Sequence, residues 1–290
     1  MKLLVVGGGG MGFAIATALA KRHEVFLFEK ETKRRLEISC NIDSDITLLS
    51  ELTEVSEVDI CFEAVTENLI TKKRVFKELE HAFSNTVICT NTSSFTLEQL
   101  SASMKNPERL IATHFFTPAD LIPIVEVMSN PKVTNKESLN LVNKVLKDIE
   151  KYPIQINKDY PGLAGNRLQA AIMREALFLI EEDVISIEDL DMLVRWSLGI
   201  RLVTNGLFLQ RDINGLDIHY EVTKSVYPTL ANNETVSSLL LTKIEQNERG
   251  MKDNRGFYEW TESSKKEYLA ESEKMLSDIM KIIKGEKNND

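Results

Sequence analysis

Two side chains at the ends of one short loop have the types and spacing to share a proton. His114 closes the apolar run RLIATHF (109–115), and Glu126 lies within IVEVM (124–128), with Pro118 and Pro123 between them. Both stand equally far from Asp120, so strands that pair antiparallel through this loop set the two side chains opposite each other. A carboxylate bonded to an imidazole fixes its tautomer and raises its basicity. That suits a base removing a hydroxyl proton while hydride leaves the same carbon. The spacing fits equally a core histidine satisfied by its neighbour.

A second chemical signal lies near the N-terminus. Gly7, Gly9 and Gly12 form G-x-G-x-x-G directly after the apolar run KLLVV and at the head of a helical pattern. In that context the first glycine permits a tight turn, the second admits a pyrophosphate to the backbone, and the third lets helix and strand pack closely. The helix start then offers N–H groups to an anion. Glu29, at the end of the next strand, can bind both ribose hydroxyls of an adenosine and repel a 2′-phosphate, which predicts NAD over NADP. Lys33, Arg34 and Arg35 close by pull the other way.

These groups need a scaffold. The first half alternates strands at 2–6, 24–28, 58–65, 86–90, 109–115, 124–128 and 152–156 with helices at 11–22, 67–83 and 134–150. That order predicts an α/β, doubly wound, Rossmann-type sheet covered on both faces. After NKDYPG the pattern becomes helical, at 163–183, 187–197, 215–226 and 235–248 and in an amphipathic C-terminal run, with no strand expected. The domains are therefore placed at 1–158, nucleotide-binding, and 159–290, all-helical, because Pro161-Gly162 separates the two patterns.

Composition narrows the classes. The 290 residues are 43% hydrophobic and 27% charged, as in a soluble globular chain. A net charge of −9 disfavours nucleic-acid binding. No segment is apolar for long enough to span a membrane. Cys40, Cys61 and Cys89, an odd set with no C-x-x-C, favour free thiols and a cytoplasmic location. No ligand spacing suggests a metal. His23, His81 and His219 read as surface or structural residues, and Trp196 and Trp260 as packing residues.

The motifs together resemble the L-3-hydroxyacyl-CoA dehydrogenase family. The resemblance rests on GGGGMG (7–12), EAVTEN (63–68), NTSS (91–94), HFFTP (114–118) with IVEV (124–127), and PGLAGNR (161–167), in the family's order over roughly the first 170 residues. It continues more loosely into the helical half, including RGFYEW (255–260). It implies NAD as cofactor and His114 as catalytic base with Glu126 as its partner. It implies Ser93 as the hydroxyl binding the substrate's 3-oxygen and Asn166 as an orienting amide. Met11, Glu67, Lys72 and Asn91 fall to the cofactor site, Lys72 lying also near the CoA portion, where Lys72-Lys73-Arg74 could attract its phosphates. A role in fatty acid metabolism and a homodimer built through the helical domain are further implications.

Two departures bear on the substrate. Thr117 stands where the family usually has Asn. The segment from Glu29 to Glu67 leaves room for about one short helix and one strand, where family members usually carry a long helical hairpin over the CoA moiety. The leading expectation is NAD-dependent oxidation of an L-3-hydroxyacyl-CoA, such as 3-hydroxybutyryl-CoA, to the 3-ketoacyl-CoA. An alternative is oxidation of a free 3-hydroxy acid, because LIPIVEV (121–127) and the run at 197–219 resemble carnitine and gulonate dehydrogenases. A further alternative is an NAD-binding protein without catalysis.

Overall fold

A computed structural model describes residues 1–42, 45–130 and 134–285. The chain forms two compact units, Met1–Asn166 and Arg167–Asp290. The division falls later than the Pro161-Gly162 break suggests. Residues 159–166 stay with the first unit because Leu163 is buried in its core and Glu126 holds the backbone at 164 and 165.

The first unit is one eight-stranded sheet. Its elements are β1 (Lys2–Val6), α1 (Gly10–Ala20), β2 (Glu24–Phe28), α2 (Thr32–Ser39), β3 (Ile46–Leu49), β4 (Ile60–Glu63), α3 (Leu69–Ala82), β5 (Val87–Thr90), α4 (Leu97–Ser101), β6 (Leu110–Phe115), β7 (Ile124–Ser129), α5 (Lys136–Asp148) and β8 (Tyr152–Ile156). The strand order is β3-β2-β1-β4-β5-β6-β7-β8. Neighbours from β3 to β6 pair in parallel, β6 and β7 pair antiparallel, and β7 and β8 are again parallel.

Parallel strands are covered on both faces and so read as unbroken apolar runs. β4, β5 and β6 are buried at every position. Successive side chains feed two cores: Leu3, Val5, Ile111 and Val125 join Ile15 and Leu19 of α1, while Leu4, Val6, Leu110 and Met128 join Phe76 and Leu79 of α3. Strand order reverses between β1 and β4, and at such a switch point doubly wound sheets bind ligands outside the carboxyl ends of the strands.

The second unit is helical, as expected: the remainder of α6 (Gly165–Glu181), α7 (Ile187–Leu193), a π-helical turn (Val194–Gly199), α8 (Ile200–Asn214), α9 (Leu216–Val226), α10 (Ser238–Glu245) and α11 (Glu262–Lys284). α8 is a helix the periodicity did not reveal. Gly199, Gly206 and the β-branched residues between them argue for a break. The chain instead continues through Gly199 and takes a kink at Gly206, whose φ of +69° suits glycine. Trp260 packs edge-on with Tyr258 and Tyr268, as expected of a packing residue. Trp196 does not: it is exposed on the chain. The last residues of the expected C-terminal run, 286–290, lie outside the described residues.

Candidate active site

The register of β6 and β7 places His114 directly across from Glu126. Their side chains meet on the face that also carries Leu110 and Met128, with Nδ1 of His114 2.8 Å from Oε2 of Glu126. Both are nearly sealed, His114 being 6% and Glu126 4% exposed. An ionised carboxylate can only accept, so Nδ1 is the donor of this bond. Glu126 is held from its other side too. Its Oε1 accepts the backbone N–H groups of Ala164 and Gly165 at 2.9 Å each, the amides that open α6. Helix starts leave such amides unpaired and favour a negative charge there. The Phe116 ring packs edge-on against His114, with centroids 4.8 Å apart. Gly165 leaves room for that ring: a Cβ at 165 would sit 2.4 Å from it.

The loop after β5 carries the next set. Asn91 accepts the Phe115 N–H at 2.8 Å, tying the ends of β5 and β6 together. The Asn166 side chain donates to the Ser93 carbonyl at 3.4 Å. Residues 164–166 thus touch both the His114–Glu126 pair and the serine loop. Glu67 gathers that loop from below. Its Oε1 accepts the Thr92 hydroxyl at 2.7 Å and the Ser93 N–H, Ser94 N–H and Ser94 hydroxyl at 2.9 Å each. Burial pushes the Glu67 carboxyl up, but the Thr92 hydroxyl, the Lys72 ammonium and the Ser93 and Ser94 donors outweigh it and hold it at about 2.

Lys72 is not on the surface. Its Nζ lies 2.8 Å from Glu63 Oε1 and 3.2 Å from Glu67 Oε2, and the residue is fully buried. This corrects the idea that it attracts the phosphates of CoA. It is on the buried side of α3, and two carboxylates satisfy its charge. Glu63 is the residue the motif reading overlooked. Its signal was a charged residue ending the apolar run VDICFE, where only a partnered carboxylate can be buried. Thr117, by contrast, is exposed.

The glycine loop fits a dinucleotide. Gly7 has φ of +105°, and a Cβ there would meet the Ala64 carbonyl oxygen at 2.8 Å. A Cβ on Gly12 would lie 1.9 Å from the Gly7 carbonyl oxygen, so only glycine lets α1 approach β1. Gly9 and Gly10 face open space, and the start of α1 has no side-chain cap and no acidic residue in its first turn. The unpaired amides there suit a pyrophosphate. Met11 packs against the sheet core. Glu29 accepts the N–H groups of Gly8 at 2.7 Å and Glu31 at 2.8 Å, so its carboxylate is fixed at the rim. Arg34 donates from Nε to the Gly8 carbonyl at 2.8 Å and Arg35 to the carbonyls of Glu29 and Lys30 at 2.7 Å. These arginines hold backbone, which answers the pull toward NADP that their charge suggested.

An uncapped glycine-rich helix start after β1 and an imidazole at the end of β6 stand at the same carboxyl edge of one sheet, an arrangement that suits hydride chemistry on a nicotinamide. The class is an NAD-dependent oxidoreductase. Comparison with known proteins then gives the family. The model of the NAD-binding domain of 3-hydroxyacyl-CoA dehydrogenases matches residues 30–160, and that of their C-terminal domain matches residues 162–260. The chain belongs to the 3-hydroxyacyl-CoA dehydrogenase family.

Three similar proteins can be set beside it. A 5-formyl-3-hydroxy-2-methylpyridine 4-carboxylate 5-dehydrogenase of Mesorhizobium japonicum is 30% identical over 232 residues, 80% of this chain and 75% of the relative. A solved structure of an enzyme of that activity, described as an NAD+-dependent dismutase, superposes with a TM-score of 0.92 at 26% identity, covering 99% of both chains. A 3-hydroxyacyl-CoA dehydrogenase from Archaeoglobus fulgidus superposes with a TM-score of 0.72 at 29% identity, covering 95% of this chain and 98% of that one.

Proposed function

We propose that the protein oxidises a hydroxyl-bearing carbon of a small free carboxylic acid, with NAD as acceptor, in preference to a CoA thioester. The observation that carries this reading is the short stretch after Glu29. Among the described residues, the segment up to Glu67 holds only α2, a three-residue 3₁₀ turn at Leu52–Glu54 and two strands of the sheet. It has no helical hairpin to lie over a CoA. Of the cations at 72–74, Lys72 is buried, and Arg74 lies 3.7 Å from Glu78. The higher TM-score to the dehydrogenase of a pyridine carboxylate supports the same choice.

The chemistry follows from the pair. Bound NAD would be held by the Gly7–Gly12 loop and Glu29 and would supply the hydride acceptor. His114 Nε2 takes the proton of the substrate hydroxyl as that carbon becomes a carbonyl. Glu126, anchored by the 164 and 165 amides, balances the resulting imidazolium. In reverse, the imidazolium returns the proton to the carbonyl oxygen. A hydrated aldehyde offers the same C–H and O–H and would be oxidised to an acid by the same step. Ser93 holds the reacting oxygen, and Asn166 orients the substrate chain. The test is NADH formation from a panel of free hydroxy acids and aldehydes, with His114→Ala as control. No turnover on any member would overturn the reading. Oxidation of an L-3-hydroxyacyl-CoA is the second reading, favoured by the full set of family motifs.

The assembly reading is a homodimer through the helical unit. Among the described residues of 167–290, Leu177 and Ala231 are the only buried apolar side chains, whereas Trp196, Phe208, Leu209, Ile213 and Tyr220 are exposed. Apolar surface on that scale marks an interface. Cytoplasmic residence belongs to the same reading, supported by the free Cys40, Cys61 and Cys89. No helix among the described residues is long and apolar enough to cross a membrane.

A further inference from the structure

We infer that Glu63 and Lys72 are positioning residues: a buried carboxylate–ammonium–carboxylate chain, Glu63–Lys72–Glu67, sets the Ser93 loop for proton and hydride transfer. The inference rests on the proposed role of Ser93 as the hydroxyl that holds the reacting oxygen.

The chain can be followed atom by atom. At its deep end, Glu63 Oε2 accepts the Thr90 hydroxyl at 2.6 Å, and Oε1 accepts the Val65 N–H at 2.8 Å. Oε1 also accepts Lys72 Nζ at 2.8 Å. Nζ reaches Glu67 Oε2 at 3.2 Å, and Glu67 Oε1 takes four donors from Thr92, Ser93 and Ser94. Glu63 and Lys72 have no accessible surface, so neither can touch a nucleotide or a substrate without the fold opening. Their effect has to pass through Glu67.

The charges explain the geometry. One ammonium stands between two carboxylates. Glu63 holds Nζ on its own side, which leaves Glu67 free to give its other oxygen wholly to the loop. Neutralising Glu63 leaves Lys72 with Glu67 as its only charged partner. The stronger pull draws Glu67 toward Nζ and loosens the Ser93 and Ser94 amides. The deep end of the chain, Glu63 on β4 bonded to Thr90 of β5, lies on central strands, so the loop's position is referred to the sheet.

The experiment compares Glu63→Gln in the wild-type and in the Ser93→Ala background. A positioning role predicts that kcat falls about 10- to 100-fold in the first background and less than about 3-fold in the second, because the same loop is already disabled. The Kd for NAD should change less than about 3-fold. Equal losses in both backgrounds, or a loss confined to NAD affinity, would overturn the inference. Hydrogen exchange at the Ser93 and Ser94 amides gives a readout without turnover: it should be faster in Glu63→Gln, and unchanged exchange also overturns the inference. It separates the positioning role from failure of the proposed function, which shows as absent wild-type turnover. Should Glu63→Gln not fold, Thr90→Val removes only one bond to Glu63 and should give a smaller change of the same sign in every readout. No change there refutes the relay.

Discussion

Replacing His114 by Ala removes the group proposed to take the substrate proton. The expected loss in kcat/KM is about 10²–10⁴-fold, the usual contribution of a general base. The Kd for NAD, proposed to bind at the glycine loop, should change little; titration with NAD alongside NADH formation checks both. Glu67 gives a second test through pH. Its carboxyl sits at about 2 in the fold against an unfolded value near 4.5. The charged form therefore stabilises the protein fully above that unfolded value, and the gain is lost as pH falls toward 2. Glu67→Gln should flatten the rise of unfolding free energy between these limits, read by urea denaturation at stepped pH. At this scale the sequence was informative where a residue's own chemistry was the signal. His114 opposite Glu126 followed from symmetric spacing about Asp120. Lys72 did not, because a lysine on a helix reads as solvated until its two carboxylate partners are seen.

The elements explain why the pair is held still. The antiparallel turn from β6 to β7 inverts the chain, and the register that results is the one implied by the symmetric spacing of His114 and Glu126 about Asp120 in a loop bounded by prolines. The start of α6 then closes over Glu126. Gly165→Ala should drive its new methyl into Phe116, 2.4 Å away, and tilt the ring that packs on His114. Overpacking of this kind costs about 1–3 kcal/mol. The expected result is a lower melting temperature and a lower kcat with nearly unchanged NAD affinity, measured by thermal melts and steady-state kinetics. α8 shows the limit of periodicity. Gly199 keeps helical backbone angles, whereas Gly206, at φ of +69°, does interrupt the helix, so the glycine signal held at one position and failed at the other. The domain boundary moved for a similar reason: proline and glycine mark a turn, but the bonds from Glu126 to 164 and 165 decide which unit owns the segment.

At the scale of the molecule, the two units carry different burdens. The sheet buries its apolar residues on both faces and stands as a core of its own, whereas the helices leave theirs in water on a single chain. Sedimentation velocity should therefore show a dimer. Phe208→Glu, at a residue 86% exposed on the chain, should shift it toward monomer. A wild-type monomer would remove that reading. The apolar character of the helical half was legible in the sequence, but not which side chains stay uncovered, since an amphipathic pattern looks the same whether its partner is the same chain or another. The substrate is where sequence and structure draw apart: the motifs point to the acyl-CoA family, and the short segment after Glu29 points to a smaller ligand. The direct measurement is kcat/KM for a free 3-hydroxy or aldehyde-bearing acid and for L-3-hydroxybutyryl-CoA, side by side with NAD. The free acid should be turned over with the higher kcat/KM, and that activity should vanish in His114→Ala. A higher kcat/KM for the thioester would contradict the account.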